Sequence, residues 1–448
     1  MIDPDLPAYS PKRLRHILHL SLPIIAGLGS QNIMTLADTI MIGHVDTASL
    51  AALGITLMAI WVISSPFQGV SHAVQAITAR RLGEERETEL HRPLVNAGWL
   101  IILLGSPFAV VLIMLAPYLV QFLGDPEVRQ ISLEYLTIRL YTVPIIGLNF
   151  CYRGYFNGLH KSRVFMQTLL MAHPINVFLN WVLIFGNLGF PEMGAKGAAI
   201  GTAIASTLGC GIYVLQMIRH RNPGFSLSFN MLTRKDLKGL FELALPSCFQ
   251  YTAMALGFLA FFAIAETISK ETLAATNVLI TTARVCFILS LGLGIATISL
   301  VGKSLGRGNP DEARIWVRSI LIFGSFGIGA IGLAVAVFPK VWLSWFGLES
   351  SVLDLALPSL ILLGFIQSYD AAGIILSHAH LGGGDTKRVM LISVINQWLF
   401  FLPVCFLWVN FFDGQLIHLW ICMAFYRFFL FISFLVSIRG KSWLNVAI

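Results

Sequence analysis

Leu22-Pro23, Ser49-Leu50-Ala51-Ala52 and Leu82-Gly83 return 223 residues later as Leu245-Pro246, Thr272-Leu273-Ala274-Ala275 and Leu305-Gly306, without a gap. Gly124 in Phe122-Leu123-Gly124 falls on Gly347 in Trp345-Phe346-Gly347 at the same offset. Between these landmarks lie apolar stretches long enough to cross a bilayer, so one membrane pattern occurs twice. Two similar bundles facing one another create a central cleft, and rocking them exposes the cleft to either side of the membrane. The repeat therefore predicts a two-lobed transporter.

Composition agrees. With 56% hydrophobic and 12% charged residues in a chain of 448, the apolar surface exceeds what a water-soluble fold can hide, so lipid must solvate much of it. A crossing helix takes about 20 apolar residues. Twelve such runs are read, centred near Gly29, Ile60, Ser106, Val143, Val177, Ser206, Ala253, Leu289, Gly327, Phe365, Leu399 and Ala424. The predicted fold is an all-α integral membrane protein, with twelve transmembrane helices in two pseudo-symmetric six-helix lobes. The lobes are residues 1–220 and 239–448, joined over 221–238 by a polar, basic linker broken at Asn222-Pro223-Gly224. Arg80–Arg92 and its counterpart Lys303–Arg318 read as short amphipathic segments along the inner surface.

Of the 30 Lys and Arg residues, 22 lie in the two tails and the loops after even-numbered spans. Four lie in the other loops (Arg129, Lys196, Lys270, Lys340) and four inside spans. The bias predicts cytoplasmic termini and a cytoplasmic linker. It also accounts for the net charge of +7 as a belt facing anionic headgroups, not a nucleic-acid surface. The six cysteines, Cys151, Cys210, Cys248, Cys286, Cys405 and Cys422, all sit in apolar runs. They imply neither a disulfide framework nor metal-ligand spacing.

Charge at membrane depth is expensive, so acids and bases inside spans are the first candidates for function. Asp38 and Asp370 are the two carboxylates placed well inside. Gln31, Thr35 and Asp38 follow an i, i+4, i+7 spacing and share a face of span 1; His173, Asn176 and Asn180 do the same on span 5. Thr202, early in span 6, should stand at the depth of Asp38 and Asn180 in the outer part of the N-terminal lobe. Tyr135 and Arg139, one turn apart on span 4, enter from the same side. The bland alternative is that these groups only hydrogen-bond between helices as packing glue.

The strings Asn176-Val-Phe-Leu-Asn180-Trp-Val-Leu-Ile-Phe-Gly186, Gly194 and Gly197-Ala-Ala-Ile-Gly201-Thr202 resemble the span 5 to span 6 signature of MATE-family multidrug exporters. Arg153-Gly154, Asn157-Gly158 and Arg163 resemble that family's motif at the inner end of span 4. The N-lobe pocket of the proton-coupled DinF branch maps onto Gln31, Asp38, Asn176, Asn180 and Thr202. In the C-terminal lobe, Asp370 precedes Gly383-Gly384-Asp385 much as the span 10 acid of the NorM branch does. The span 7 acid of that branch is missing, its place falling near Met254 among Gln250, Tyr251 and Thr252. Asp370 is thus either part of a cation site or a structural partner of Arg284 in span 8.

The resemblance implies a proton-coupled antiporter of cationic or amphipathic organic compounds in a bacterial inner membrane, a monomer without cofactor or metal. In that reading Asp38, whose charged form burial disfavours, takes a proton from the outer side and releases it inward. Span 1 then bends where Pro23, Gly27 and Gly29 weaken its hydrogen-bond ladder, or proton and drug compete directly for Asp38. Sodium coupling and a lipid-linked oligosaccharide flippase of the same superfamily are the transport alternatives. An enzyme is disfavoured, since neither a Gly-x-Ser-x-Gly elbow nor a His-Glu-x-x-His helix occurs.

Overall fold

The computed structural model describes residues 7–219, 233–347, 349–412, 414–444 and 446. Residues 220–232 of the expected linker region lie outside the described residues; those from Arg234 open a helix. Every regular element among the described residues is helical.

The first half begins with α1 (Pro11–Gly43) and α2 (Thr47–Gly83). Its third span joins α3 (Arg92–Leu100) to α4 (Ser106–Val120) through a π-helical stretch at Ile101–Gly105. Then come α5 (Pro126–Tyr141), α6 (Val143–Gly158), α7 (Ser162–Phe185) and α8 (Gly194–Arg219). The second half repeats the order with α9 (Arg234–Glu266), α10 (Lys270–Gly306), α11 (Pro310–Val337), the short α12 (Pro339–Ser344) and α13 (Ser350–Gly383). It ends with α14 (Thr386–Val394), a π-helical stretch (Ile395–Phe401), α15 (Leu402–Phe411) and α16 (Leu416–Arg439). Among the described residues eleven helical stretches are long and apolar enough to cross a membrane, and α5 with α6 makes a twelfth when counted as one bent span.

The duplication sets helix boundaries to the residue. α1 and α9 are both 33 residues long, and α2 and α10 both 37, each member starting and stopping 223 positions from its counterpart. The caps repeat too: Asp46 accepts from the Ser49 N–H at 2.5 Å, and Ser269 from the Thr272 N–H at 3.0 Å. A side-chain oxygen there satisfies one of the donors that a helix start leaves free. Both π-helical stretches run into a proline, Pro107 or Pro403, in the first turn of the next helix. The missing N–H widens the turn before it.

The fourth span breaks the symmetry. α5 and α6 meet at a 50° bend, whereas their counterpart α13 is continuous. Pro144, at the start of α6, removes a ladder donor; α13 has its one internal proline at Pro358, well before the matching place. The Thr142 hydroxyl covers the Arg139 carbonyl at the bend, at 2.7 Å. This places Arg139 in the last turn before the kink.

The expected inner-surface amphipathic segments are not formed. α2 runs through Gly83 into a turn with Glu85 at φ 57° and a single 3-10 turn at Glu87–Glu89, while α10 ends at a turn with Gly308 at φ 71°. The basic residues there extend the transmembrane helices, and the left-handed turn positions leave too little chain for a surface helix.

Packing divides the chain into two compact units, Ala26–Cys248 and Phe249 onward together with residues up to Ile25. Their limits fall inside α1 and α9, whereas the expected lobe limits were 220 and 239. In the first unit, the start of α9 is held by Asp236, whose carboxylate lies 2.5 Å from Arg81 Nη2 and 3.7 Å from Arg92. In the second unit the Arg13 guanidinium lies over the Trp316 ring, 4.6 Å from its centroid.

Candidate functional site

The core of the first unit contains a layer made by Ile42 of α1, Tyr135 of α5, Ile184 of α7 and Ala198 of α8. α1 and α7 run one way and α5 and α8 the other, so one turn from this layer, on the same side, lie Asp38, Arg139, Asn180 and Thr202. All four are buried. An apolar lid thus covers a polar layer.

Asn180 Nδ2 donates to Asp38 Oδ1 at 2.7 Å. The Asn176 amide is best satisfied with its nitrogen toward Asp38 Oδ1, at 3.1 Å, and its oxygen toward the hydroxyl and backbone N–H of Thr202, at 3.2 and 3.3 Å. Asn176 and Asn180 are fully buried. Gly201 permits this arrangement, because a Cβ there would collide with the Asn180 amide oxygen. Among the described residues Asp38 makes no ion pair, with Arg139 or any other base.

Three expected pocket members stand apart. Gln31 is exposed, and the Thr35 hydroxyl turns back to the Gln31 carbonyl of its own helix at 3.1 Å. His173 Nδ1 meets the Ser30 hydroxyl at 2.6 Å, about two turns along α1 from Asp38. Sequence reading missed Ser30, one of the commonest residue types at helix–helix contacts in membranes. Tyr135 is buried in the apolar layer above. Pro23 lies inside an unbroken α1; Gly27 abuts Phe165, with a built Cβ only 2.6 Å from its ring, and Gly29 faces open space.

The second unit carries no copy of this site. α9 matches α1 residue for residue at the repeat offset, and the place of Asp38 is taken there by Phe261. Phe261 packs on Phe401, their ring centroids 5.4 Å apart. Asp370 is paired with Arg427 of α16, Oδ1 to Nη1 at 3.2 Å, not with Arg284, which is exposed on α10. The guanidinium also sits 5.3 Å from the Tyr426 ring centroid. α13 packs against both α10 and α16, and position 427 faces it where 284 does not. Gln250 donates to Ser393 at 3.2 Å, and Tyr251 is half-buried beside it on α9. Among the described residues no three His, Cys, Asp or Glu side chains converge. The first unit therefore offers one carboxylate, held by neutral amides, that can change charge without breaking an ion pair; the second offers a closed ion pair.

Known proteins carry the same architecture. A probable multidrug resistance protein NorM of Bacillus anthracis is 30% identical over 94% of this chain and 95% of its own length. One from Thermotoga maritima is 24% identical over 92% and 89%. A MOP superfamily transporter from Pyrococcus furiosus superposes with a TM-score of 0.88 at 19% identity, covering 98% of both chains. A eukaryotic MATE transporter gives 0.87 at 18% over 97% of both. With the MatE family model matching residues 23–182 and 246–407, the chain belongs to the MatE family.

Proposed function

We propose that this chain exports small organic compounds by proton-coupled antiport, with Asp38 as the group that loads and releases the proton. The chain is a multi-pass membrane transporter and not an enzyme, and the names of its relatives support multidrug efflux. The observation that carries the coupling is the setting of Asp38, buried, hydrogen-bonded to amides and in no ion pair among the described residues. A carboxylate held in this way loses little when protonated, whereas one locked to a guanidinium loses its partner. Cationic or amphipathic substrates suit the ionised form, and protonation removes their counter-charge. Bending of α1 near Pro23 and Gly27 would then close the pocket. The basic-residue bias supports cytoplasmic termini, with the polar layer nearer the outer face of a bacterial inner membrane.

One feature favours sodium as a second reading: the Asn180 amide oxygen is buried without a donor beside the carboxylate, and a hard cation wants several such oxygens. Substrate efflux from proteoliposomes under separately imposed proton and sodium gradients decides. Efflux driven by the proton gradient alone is expected; efflux that responds only to sodium would overturn the proton assignment.

A further inference from the structure

We propose that Cys405 of α15 and Cys422 of α16 form a two-thiolate site for a thiophilic divalent metal ion such as mercury(II). The site lies wholly in the second unit and does not depend on the export function above.

The two cysteines stand 17 residues apart in the chain, a spacing that signals no metal site. The fold brings them together. α15 and α16 pack on one another across a short connection, as an antiparallel hairpin. Cys405 comes six residues before the end of α15 at Phe411, and Cys422 six residues after the start of α16 at Leu416. Equal distances from the connection set them opposite one another, and ring pairs on either side fix that register. One turn nearer the connection, Trp408 stacks on His418 with centroids 5.3 Å apart; one turn farther away, Phe401 stacks on Tyr426 at 4.7 Å. Between these aromatic layers the two thiols are hydrogen-bonded to each other. Both cysteines are buried and neither is in a disulfide. Cys248, by contrast, donates to the Pro66 carbonyl at 3.0 Å.

Two thiols in contact can be joined by oxidation or by a metal. Oxidation proceeds through a thiolate, which an enclosed apolar place disfavours. A soft metal ion makes its own ligands, because it deprotonates the thiols that bind it. Coordination number and charge then select the ion. Zinc takes four ligands, and among the described residues no three His, Cys, Asp or Glu side chains converge. Mercury(II) is satisfied by two sulfurs in line. Two thiolates also cancel its double charge, so the complex is neutral, as a site between aromatic layers demands; a singly charged soft ion would leave a net negative charge there. On binding, two S–H bonds break, two mercury–sulfur bonds form and two protons pass to the buffer. Nothing is oxidised.

The test adds mercury(II) chloride to the purified, reduced chain in nanodiscs and then challenges it with a monothiol, reading intact mass and the ultraviolet absorption of mercury–thiolate bonds. The wild-type chain is expected to retain one mercury ion with the loss of two protons. Cys405→Ser and Cys422→Ser should each weaken retention by roughly a hundredfold or more, since the remaining thiolate loses the effective concentration of its partner. Cys286→Ser, at another buried cysteine of the same unit, should leave retention unchanged. Where serine in the apolar layer prevents folding, Cys405→Ala and Cys422→Ala make the same comparison. Retention in either variant equal to that of the wild type, two ions bound with one on each thiol, or no ion held against the monothiol overturns the site. A reduced and refolded wild-type chain that returns to a Cys405–Cys422 disulfide before metal is added would overturn it as well, by showing that oxidation, not metal binding, is what the pair does.

Discussion

Asn180 reaches from α7 to Asp38 on α1, donating its Nδ2 hydrogen at 2.7 Å, while the carboxylate of the second unit, Asp370, is held by Arg427 at 3.2 Å. The acids placed well inside the spans of the two halves, Asp38 and Asp370, thus have opposite settings. A neutral amide stabilises an ionised carboxylate modestly and tolerates its protonation; a guanidinium left behind by a protonated partner becomes a buried, uncompensated charge. Where α1 carries Asp38, the matching place on α9 carries Phe261, which packs on Phe401.

Asp38→Asn keeps the volume and the hydrogen-bonding reach of the side chain but cannot titrate. Export driven by an imposed proton gradient is expected to fall to background, with the protein still inserted and monodisperse. Full drug resistance in cells carrying Asp38→Asn would falsify the coupling role.

Helix boundaries were legible because the landmarks Leu-Pro, Leu-Gly and Gly124/Gly347 recur at one offset, and the offset carries over to α1 and α9, α2 and α10. Asp38, Asn176, Asn180 and Thr202 were legible because amides and acids are rare on apolar helices and their spacing fixes a face. Depth was harder. Gln31 shares the face of Asp38 but stands seven residues, or about 10 Å, along the helix, so it does not reach the same layer. Which helices are neighbours was not legible at all: α13 packs on both α10 and α16, and periodicity within Asp370's own helix does not choose between Arg284 and Arg427.

Asp370→Asn should strand Arg427 and cost about 3–5 kcal/mol, the usual penalty for opening a buried pair from one side. Thermal unfolding in detergent measures it. Combining it with Arg427→Gln should recover part of the loss, while Arg284→Gln, at an exposed position, should shift stability by no more than about 0.5 kcal/mol. An Arg284 variant that destabilises as strongly as Arg427→Gln would contradict the pairing.

Gly201→Ala places a methyl group against the Asn180 amide oxygen. Relief requires the amide to turn or α8 to move, at about 1–3 kcal/mol, and either movement strains the bond to Asp38. Proton-driven export should drop more than stability does. The neighbouring change Ala203→Gly, outside the contact, serves as control; equal losses in both would mean that the helix, not the amide, is what matters.

The cap of α2 gives a pH signature outside the spans. The backbone N–H of Ser49, and then its hydroxyl at 2.7 Å, hold the Asp46 carboxyl below its ordinary range. A group depressed in the folded state stabilises above its unfolded value, and that contribution is lost as pH falls through the folded value. Asp46→Ala should therefore cost about 1 kcal/mol at neutral pH and progressively less in acid. Asp46→Ser, copying Ser269 of the second half, should keep most of the cap and remove this component of the pH dependence. An Asp46→Ala penalty that stays constant into strong acid would rule out the carboxylate as the stabilising form.

The proposed orientation rests on the 22 to four distribution of basic residues between the two sets of tails and loops, a bias that predicts the rich side to be cytoplasmic. Lys12, Glu85, Asp125 and Glu192 are all exposed and lie outside the polar layer, so single cysteines there, in a background lacking the six native ones, leave the site intact. A membrane-impermeant maleimide applied to whole cells should label cysteine at 125 and 192, and reach 12 and 85 only after permeabilisation. The reverse pattern would put Asp38 nearer the cytoplasmic face. Its proton would then load from the less acidic side, and inward proton flow could no longer drive export in the order proposed.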